Sequence, residues 1–184
     1  TKMTGPSTYN PTVTVDHAKD LVYGVAGQVT SMKYLNWEDS STQYYFTETK
    51  TYDELFQLTR QTTTGTSGTV VDIGYEFSAT QNNGQILSRT NYQRGIVDGE
   101  KVSDQYDDLN RLVTATGTTK NSGGTTINTW GQDFVHDGFG NLLSQTPKGG
   151  FPDPSPNVSL TVAVATNRRS GANWLYDNNG NVTV

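Results

Sequence analysis

Cysteine is absent from this chain of 184 residues, so neither a disulfide nor a thiolate metal site can form. Long apolar runs are absent as well, and we expect no segment to insert into a membrane. Basic clusters are equally scarce, since the net charge is −5 and the densest basic pair is Arg168-Arg169. A chain with this charge offers little electrostatic attraction to nucleic acid, which we therefore exclude as a partner.

Residues suited to catalysis are few. The only imidazoles are His17 and His136, and no nucleophile-elbow sequence accompanies them. Runs that contain glycine are otherwise rich in Thr, Ser and Asn, and they do not form a phosphate-binding junction between a strand and a helix. We therefore predict that the chain is not an enzyme, with no catalytic residues and no cofactor.

Carboxylates are the one group with metal-binding chemistry. They cluster at Asp104, Asp107 and Asp108, with Asp133 and Asp137 further along the chain. Oxygen ligands at such spacing can hold Ca²⁺, but Asp also strongly favours turns. The glycine-rich nonapeptide of calcium-binding β-rolls is missing. We predict structural roles for these carboxylates and no metal site.

Repetition is the feature that the chain has in abundance. A phrase of seven residues recurs six times, beginning at positions 23, 52, 80, 106, 136 and 176. It consists of an aromatic residue or His, Asp, two variable residues, Gly or Asn, a polar residue and an aliphatic residue. The exceptions are Thr80, Gly24, Gln81 and Phe56. The anchor residues of the repeat are Tyr23, Gly27, Val29, Tyr52, Asp53, Leu58, Gly84, Ile86, Tyr106, Asp107, Leu112, His136, Asp137, Gly140, Leu142, Tyr176, Asp177, Gly180 and Val182. A fixed period indicates a protein built by stacking one unit.

Each phrase has the chemistry of a β-hairpin tip. The aromatic residue ends one strand, and Asp caps the turn by accepting hydrogen bonds from backbone amides two residues on. Gly or Asn supplies the positive φ that tight hairpin turns require. The polar and aliphatic pair then begins the return strand. Phe56 stands in the Gly position, and because a bulky residue is costly at positive φ we expect a wider turn there.

The segments between the phrases favour strands. Tyr44–Tyr52, Thr69–Ile73 and Val158–Val164 are rich in β-branched and aromatic residues, whereas Asp16–Tyr23 is the best helix candidate and a poor one. Three loops are predicted, at Thr62–Thr69, Lys120–Thr126 and Thr146–Asn157. The fold class that follows is all-β, with tandem β-hairpins forming a continuous, twisted antiparallel sheet strip.

The domain organisation follows from the same repeat. Residues 1–184 are predicted to form a single repeat segment, a fragment of a longer repeat protein, because the sixth phrase is followed by so little of its return strand. The rest of that parent protein is the expected partner. Exposed sheet edges also favour pairing with another copy, an edge-to-edge homodimer.

The phrase resembles the YD repeat of rearrangement-hotspot (RHS) proteins. The closest matches are His136-Asp-Gly-Phe-Gly-Asn-Leu-Leu143, Tyr176-Asp-Asn-Asn-Gly-Asn-Val182 and the lead-in Thr166-Asn-Arg-Arg-Ser-Gly171. The resemblance implies a ribbon of hairpins that, in large bacterial members, spirals into a shell around a toxic C-terminal polypeptide. It also implies an extracellular or cell-surface location. The self-cleavage segment of the shell-forming members, of Asp-Pro-x-Gly type, has no match at Pro152-Asp-Pro-Ser155.

Two functions are consistent with these observations. The first is a non-catalytic structural module, a scaffold or shell segment of a bacterial cell-surface, secreted or toxin-associated RHS/YD-repeat protein. The alternative is a carbohydrate-binding module that stacks exposed aromatic residues on a glycan, an activity attributed to some family members. The candidate contacts are Trp130, Trp37 and Trp174, of which Trp130 is the best candidate for exposure. Burial in the sheet is the competing role for all three, since large aromatic residues usually lie in the core.

Overall fold

The structure is a computed structural model that describes residues 2–7, 10, 12, 14–38, 42–80, 82–94, 97–152, 156–171 and 174–183. Within these ranges the chain forms strands and turns and contains no helix, so the all-β prediction is confirmed. Asp16–Tyr23, the poor helix candidate, lies in a strand. No helix of the described residues is therefore available to cross a membrane.

Twelve strands follow one another in an antiparallel sheet whose spatial order is the sequence order. They are β1 (Met3–Pro6), β2 (Thr14–Tyr23), β3 (Val29–Glu38), β4 (Gln43–Tyr52), β5 (Leu58–Gly65), β6 (Gly68–Phe77), β7 (Ile86–Asn91), β8 (Val97–Tyr106), β9 (Leu112–Lys120), β10 (Thr126–His136), β11 (Leu142–Pro147) and β12 (Val158–Ser159). Two further hairpins pair β13 (Thr161–Ala163) with β14 (Arg168–Ser170) and β15 (Leu175–Tyr176) with β16 (Val182–Thr183).

The chain divides into two compact units, Thr1–Lys101 and Val102–Val184. In the first unit, each strand from β1 to β6 pairs with the next strand along the chain. In the second unit, β9, β10 and β11 each pair with the next strand. The assignment of residues 1–184 to a single repeat segment of a longer protein stays a prediction.

The register shifts by one residue where a phrase begins. Thr51 pairs with Arg60, whereas the next residue, Tyr52, pairs with Leu58. The second unit has the same shift, between Val135 and His136. An extra residue on one strand is a β-bulge, which bends the strand locally and strengthens its twist. In both phrases a β-bulge therefore lies where the strands meet the turn.

The interior of both units is mostly polar. The buried apolar residues among those described are Val15, Val102 and Ala115. The buried polar residues outnumber them and are Ser7, Glu48, Thr63, Ser88, Asp104, Thr114, Thr119 and Gln132. Substantial contacts between strands are made with strands adjacent in the sequence. The fold consequently depends on the ladder and on side-chain hydrogen bonds more than on an apolar core.

Two of the three predicted loops need correction. Thr62–Thr69 is wrong as a loop, because β5 continues to Gly65 and β6 resumes at Gly68, which leaves a turn of two residues. Gly68 has a φ of 109°, which makes so tight a turn possible. Lys120–Thr126 does connect two strands, β9 and β10. In Thr146–Asn157 the first two residues belong to β11, and residues 153–155 lie outside the described residues.

Of the predicted strands, Tyr44–Tyr52 and Thr69–Ile73 lie within β4 and β6. The strand predicted at Val158–Val164 is interrupted. Leu160 leaves the ladder between β12 and β13, and its amide donates to the carbonyl of Leu143 at 2.7 Å. Val164 is 89% exposed in the following turn, so the alternation of apolar residues does not extend to the end of this segment.

Candidate functional site

The best-defined feature of the molecule is the turn that each phrase forms. At Asp107, the backbone amide donates to the carbonyl of Arg111 at 2.9 Å, and the amide of Asn110 donates back to the carbonyl of Asp107 at 2.9 Å. One carboxylate oxygen of Asp107 accepts from the amides of Leu109 and Arg111, both at 2.9 Å. The result is a type I turn followed by a residue in the left-handed region.

The same bonds recur in the other phrases that contain Asp. Asp53, Asp137 and Asp177 each accept from the amides two and four residues on, at 2.9 Å in every case. The chain therefore repeats one turn geometry, in which a single carboxylate oxygen satisfies two backbone donors. This is the role expected of Asp in the phrase.

The fifth position of the phrase takes positive φ, as its residue types predict. Gly27, Gly84, Gly140 and Gly180 have φ between 82° and 90°. Asn110 has a φ of 64°.

The wider turn expected at Phe56 is wrong. Phe56 has a φ of 60°, and its amide donates to the carbonyl of Asp53 at 3.1 Å, as in the other turns. The ring is 51% exposed, so no packing opposes this conformation. The strain at one residue costs less than the loss of the turn bonds that Asp53 accepts.

The third phrase is longer than the sequence suggests. Phe77, not Thr80, pairs with Ile86 in the way that Tyr52 pairs with Leu58. Thr80 lies in the connection between β6 and β7, and Gln81 lies outside the described residues. The aromatic position of this phrase is therefore filled three residues earlier, and the turn contains an insertion.

A seventh turn of the same kind connects β9 to β10, and sequence reasoning missed it. Asn121 takes the place of Asp, and its side-chain oxygen accepts from the amides of Gly123 and Thr125, both at 3.0 Å. Gly124 has a φ of 80° and donates to the carbonyl of Asn121 at 2.9 Å. The signal was the spacing of Asn and Gly, which a search for an aromatic residue followed by Asp does not detect.

The outer positions of the phrase mark the strand ends. The first position ends β2, β4, β8, β10 and β15 at Tyr23, Tyr52, Tyr106, His136 and Tyr176. The seventh begins β3, β5, β7, β9, β11 and β16 at Val29, Leu58, Ile86, Leu112, Leu142 and Val182.

Hydrogen bonds set the electrostatics of the turn carboxylates. The side chain of Arg111 donates to Asp107 and, with the backbone amides of the turn, holds the pKa of Asp107 below its ordinary value. Asn141 does the same to the pKa of Asp137, and Asn181 to that of Asp177. These carboxylates are ionised parts of the turn, occupied by donors.

The carboxylates considered as calcium ligands lie in separate environments. Asp133 pairs with Lys148 at 2.9 Å and accepts from Thr114 at 2.8 Å. Asp104 is buried, and Asp108 is exposed at its turn. Across the described residues, no group of His, Asp and Glu is placed to hold a metal ion.

The two histidines lie in different local environments. The ring of His17 lies over the backbone of Gly5, where an added Cβ would be 2.7 Å from its Nε2. His136 fills the aromatic position of its phrase, and its Nδ1 is buried without a hydrogen-bond partner among the described residues. No hydrogen bond or ion pair joins either ring to a carboxylate in the described part of the chain.

The three tryptophans lie in different environments. Trp37 is 49% exposed and stacks on Tyr44, with ring centroids 4.0 Å apart and planes inclined by 13°. Trp130, predicted as the most exposed, is half-buried, with its indole directly over Gly117.

Trp174 is also half-buried, and the guanidinium of Arg169 lies 4.1 Å from its ring centroid. The guanidinium of Arg168 lies 5.2 Å from the ring centroid of Tyr176, whose hydroxyl donates to the carbonyl of Arg169 at 3.0 Å. Both rings therefore contact strand β14. Of the three tryptophans, Trp37 presents the most open aromatic surface.

Comparison with known proteins gives a fold. No protein-family model and no curated protein sequence matches the chain. The crystal structure of TcdB2-TccC3-Cdc42 matches with a TM-score of 0.66 at 17% identity, covering 92% of this chain and 10% of that chain. TcdB2-TccC3 without its hypervariable C-terminal region matches with a TM-score of 0.66 at 18% identity, covering 92% and 10%. The Photorhabdus luminescens Tc holotoxin pore, with a mutation in TccC3, matches with a TM-score of 0.53 at 16% identity, covering 96% and 12%.

The chain therefore spans about a tenth of the length of the structures that it matches. Those structures are of RHS/YD-repeat proteins. Identities of 16–18% establish likeness of fold, and the likeness extends over nearly the whole chain. The hairpins, turns and phrases described above are thus those of an RHS/YD-repeat fold, which confirms the resemblance carried by the sequence at the level of the fold.

Proposed function

We propose that the chain is a non-catalytic structural module, a scaffold or shell segment, of a bacterial RHS/YD-repeat protein associated with a toxin. The observation that carries the proposal is the run of consecutive hairpins closed by one turn geometry. The likeness to TcdB2-TccC3 and to a Tc holotoxin pore supports the toxin association and a location outside the cell or at its surface.

The mechanism is mechanical. Because each strand packs on its neighbours in the sequence, the array behaves as a nearly one-dimensional stack in which each hairpin supports the next. The rest of the parent repeat protein is the natural partner. Pairing of two copies through exposed sheet edges is a second interaction that this architecture favours.

Deletions within the full-length parent protein test this proposal. Removing residues 107–136 joins Tyr106 to Asp137, which restores a complete phrase and removes two strands, β9 and β10. Removing residues 107–120 takes out β9 alone, so the following strands run in the wrong direction. We expect the one-strand deletion to make the parent about tenfold more sensitive to protease and the two-strand deletion to have a much smaller effect.

The protease resistance and the activity of the two deletion variants distinguish a supporting role of the segment from a catalytic one. If the one-strand deletion leaves protease resistance unchanged, the segment is not a supporting part of the parent and the proposal is wrong. If both deletions abolish an enzymatic activity while protease resistance is kept, the segment contributes to chemistry instead.

Glycan binding remains the second candidate because of one observation. The rings of Trp37 and Tyr44 form a stacked pair, and half of the Trp37 surface is open. An exposed aromatic face can pack against the apolar face of a sugar ring. A glycan array probed with the whole chain tests this, with Trp37→Ala as the variant and Trp130→Ala as the control. Loss of binding in the first variant alone supports the site, and the absence of binding by the unmodified chain removes the candidate.

A further inference from the structure

The sixth residue of the phrase is polar in all six copies, and in some of them its side chain reaches beyond its own turn. The backbone bonds of the turn use the second, fourth, fifth and sixth residues. The side chain of the sixth residue adds bonds within its own turn, as at Arg111, Asn141 and Asn181. In three of the phrases it reaches the following hairpin.

Arg111 makes the clearest of these contacts. Its Nε donates to Oδ2 of Asp107 in its own turn at 2.7 Å. Its Nη1 donates to the backbone carbonyl of Asp137, in the next phrase, at 2.6 Å. The planar guanidinium suits this double task because its donors point in fixed and different directions. Arg111 is thus held by one turn and bonded to the next.

Asn141 repeats the arrangement one hairpin later. Its single amide group donates to Oδ2 of Asp137 at 2.8 Å and to the side-chain oxygen of Asn167, in the β13–β14 turn, at 2.6 Å. The two hydrogens of one amide nitrogen are enough for both bonds. An unbroken line of hydrogen bonds therefore runs from Asp107 through Arg111, Asp137 and Asn141 to Asn167.

The first unit has an equivalent link of different chemistry. Gln57 and Asn82 exchange two amide hydrogen bonds, at 3.0 and 2.5 Å, across 25 residues of sequence. Asn82 lies in the longer turn of the third phrase. The side chains of Gln28 and Gln85 each accept a hydrogen bond within their own turn, from the backbone amide and the side-chain amide, respectively, of the residue two positions earlier.

We propose that the sixth residue of the phrase is a forward link, which positions the following hairpin turn and couples its opening to that of its own turn. The proposal rests on the proposed scaffold function for its purpose. The links themselves are contacts between turns within one unit. The coupling makes neighbouring turns open together, beyond what the backbone ladder between the strands imposes. It gives a second role to a position whose side chain also bonds within its own turn.

Hydrogen exchange on the whole chain tests the proposal with a matched pair of variants. Asn141→Ala removes a bond to its own Asp and the forward bond to Asn167, whereas Asn181→Ala removes only a bond to its own Asp177. We expect Asn141→Ala to accelerate exchange about tenfold at the amides of Thr166 and Asn167, which donate to Ala163. Asn181→Ala should accelerate exchange only within residues 177–181.

Arg111→Ala extends the test to the charged link. Its effect should appear at the amides of Phe139, Gly140 and Asn141 in the next turn, and Arg111→Lys should act in the same direction because an ammonium cannot hold both acceptors in the fork geometry. Thr125→Ala, at the sixth position of the Asn121 turn, is the control. Acceleration confined to residues 107–111 would show that the link carries no coupling.

A double-mutant cycle keeps the proposal falsifiable if a variant of the second unit fails to fold. Gln57→Ala and Asn82→Ala each remove the same reciprocal pair, so their effects on exchange in residues 78–85 should be non-additive by about tenfold. That factor corresponds to about 1.4 kcal/mol. Additive effects would overturn the proposal, and they would do so without bearing on whether the parent uses the segment as a scaffold.

Discussion

Two glycines of one turn test whether the fifth position of the phrase requires a residue that tolerates positive φ. Gly138 and Gly140 occupy its third and fifth positions, and a Cβ added at either meets no atom within 4 Å. They differ in backbone conformation, since Gly140 has a φ of 89° and Gly138 lies outside the positive-φ region. Alanine at each position therefore changes the backbone preference and leaves the packing as it is.

The expected effects have opposite signs. At Gly138, alanine reduces the freedom of the unfolded chain and should stabilise by about 0.4–1 kcal/mol. At Gly140, the same gain is outweighed by about 1–2 kcal/mol for holding an L-residue in the left-handed conformation. The two variants should thus differ in free energy of unfolding by about 1–2 kcal/mol, with Gly140→Ala the less stable.

Urea denaturation followed by circular dichroism measures this difference, and hydrogen exchange at the amides of Phe139 and Asn141 locates it. For a unit of this size, 1 kcal/mol corresponds to about 4–8 °C in Tm. If Gly140→Ala is as stable as Gly138→Ala, the positive φ does not limit the turn and the reasoning fails. Phe56 offers an independent check, because Phe56→Gly should be more stable than Phe56→Ala by about 1 kcal/mol.

Three further predictions concern other contacts. Hydrogen bonds lower the pKa of Asp137, so its turn is stabilised at neutral pH and loses that stability as pH falls below about 4. The Asn121 turn has no carboxylate to titrate. The exchange protection of the two turns should therefore diverge in acid. Asp137→Asn should remove this divergence. Gly117→Ala places a Cβ 2.3 Å from Nε1 of Trp130, so it should displace the indole, change the tryptophan fluorescence and cost about 1–3 kcal/mol in urea denaturation. Tyr52→Phe removes a hydroxyl that donates at 2.9 Å to the carbonyl of Val29, the last residue of the first phrase. The free energy of unfolding should fall by about 0.5–1.5 kcal/mol, whereas no change would mean that water replaces the bond.

The hairpins could be predicted because their chemistry is local. Asp caps a turn through amides two and four residues away, and Gly or Asn adopts positive φ without help from distant residues. A period of such phrases is consequently visible in the sequence, and the strand ends at Tyr52 and Leu58 follow from it. The RHS/YD fold was predictable because the phrase resembles the repeat of that family.

The errors arise where the turn is decided by more than local preference. Phe56 takes a conformation that its type disfavours, because the bonds of the turn outweigh the strain at one residue. Thr62–Thr69 has the composition of a loop, but threonine also suits strands, and a single glycine at Gly68 is enough for the reversal. The Asn121 turn was missed because the pattern was defined by its commonest residues.

The forward links could not be predicted from the sequence. The partner of Arg111 is a backbone carbonyl 26 residues away, and that of Gln57 lies in a turn whose length is itself irregular. Sequence reasoning recognised that the sixth position is polar but had no means of identifying what it contacts. Only the pairing of neighbouring hairpins brings the two together.

The columns of the phrase also reveal where its constraints originate. The fourth position is variable, and it is filled by Leu55, Leu109 and Phe139, which are 65%, 67% and 76% exposed. The second, fifth and sixth positions, which take few residue types in most copies, carry the turn bonds, the positive φ and the forward links. Within the turn, constancy therefore follows hydrogen bonding and backbone conformation, whereas the exposed side chain at the tip is free to vary. The seventh position is aliphatic in all six copies and begins the return strand. In a fold with so few buried apolar residues, the turns are where substitutions should do the most damage.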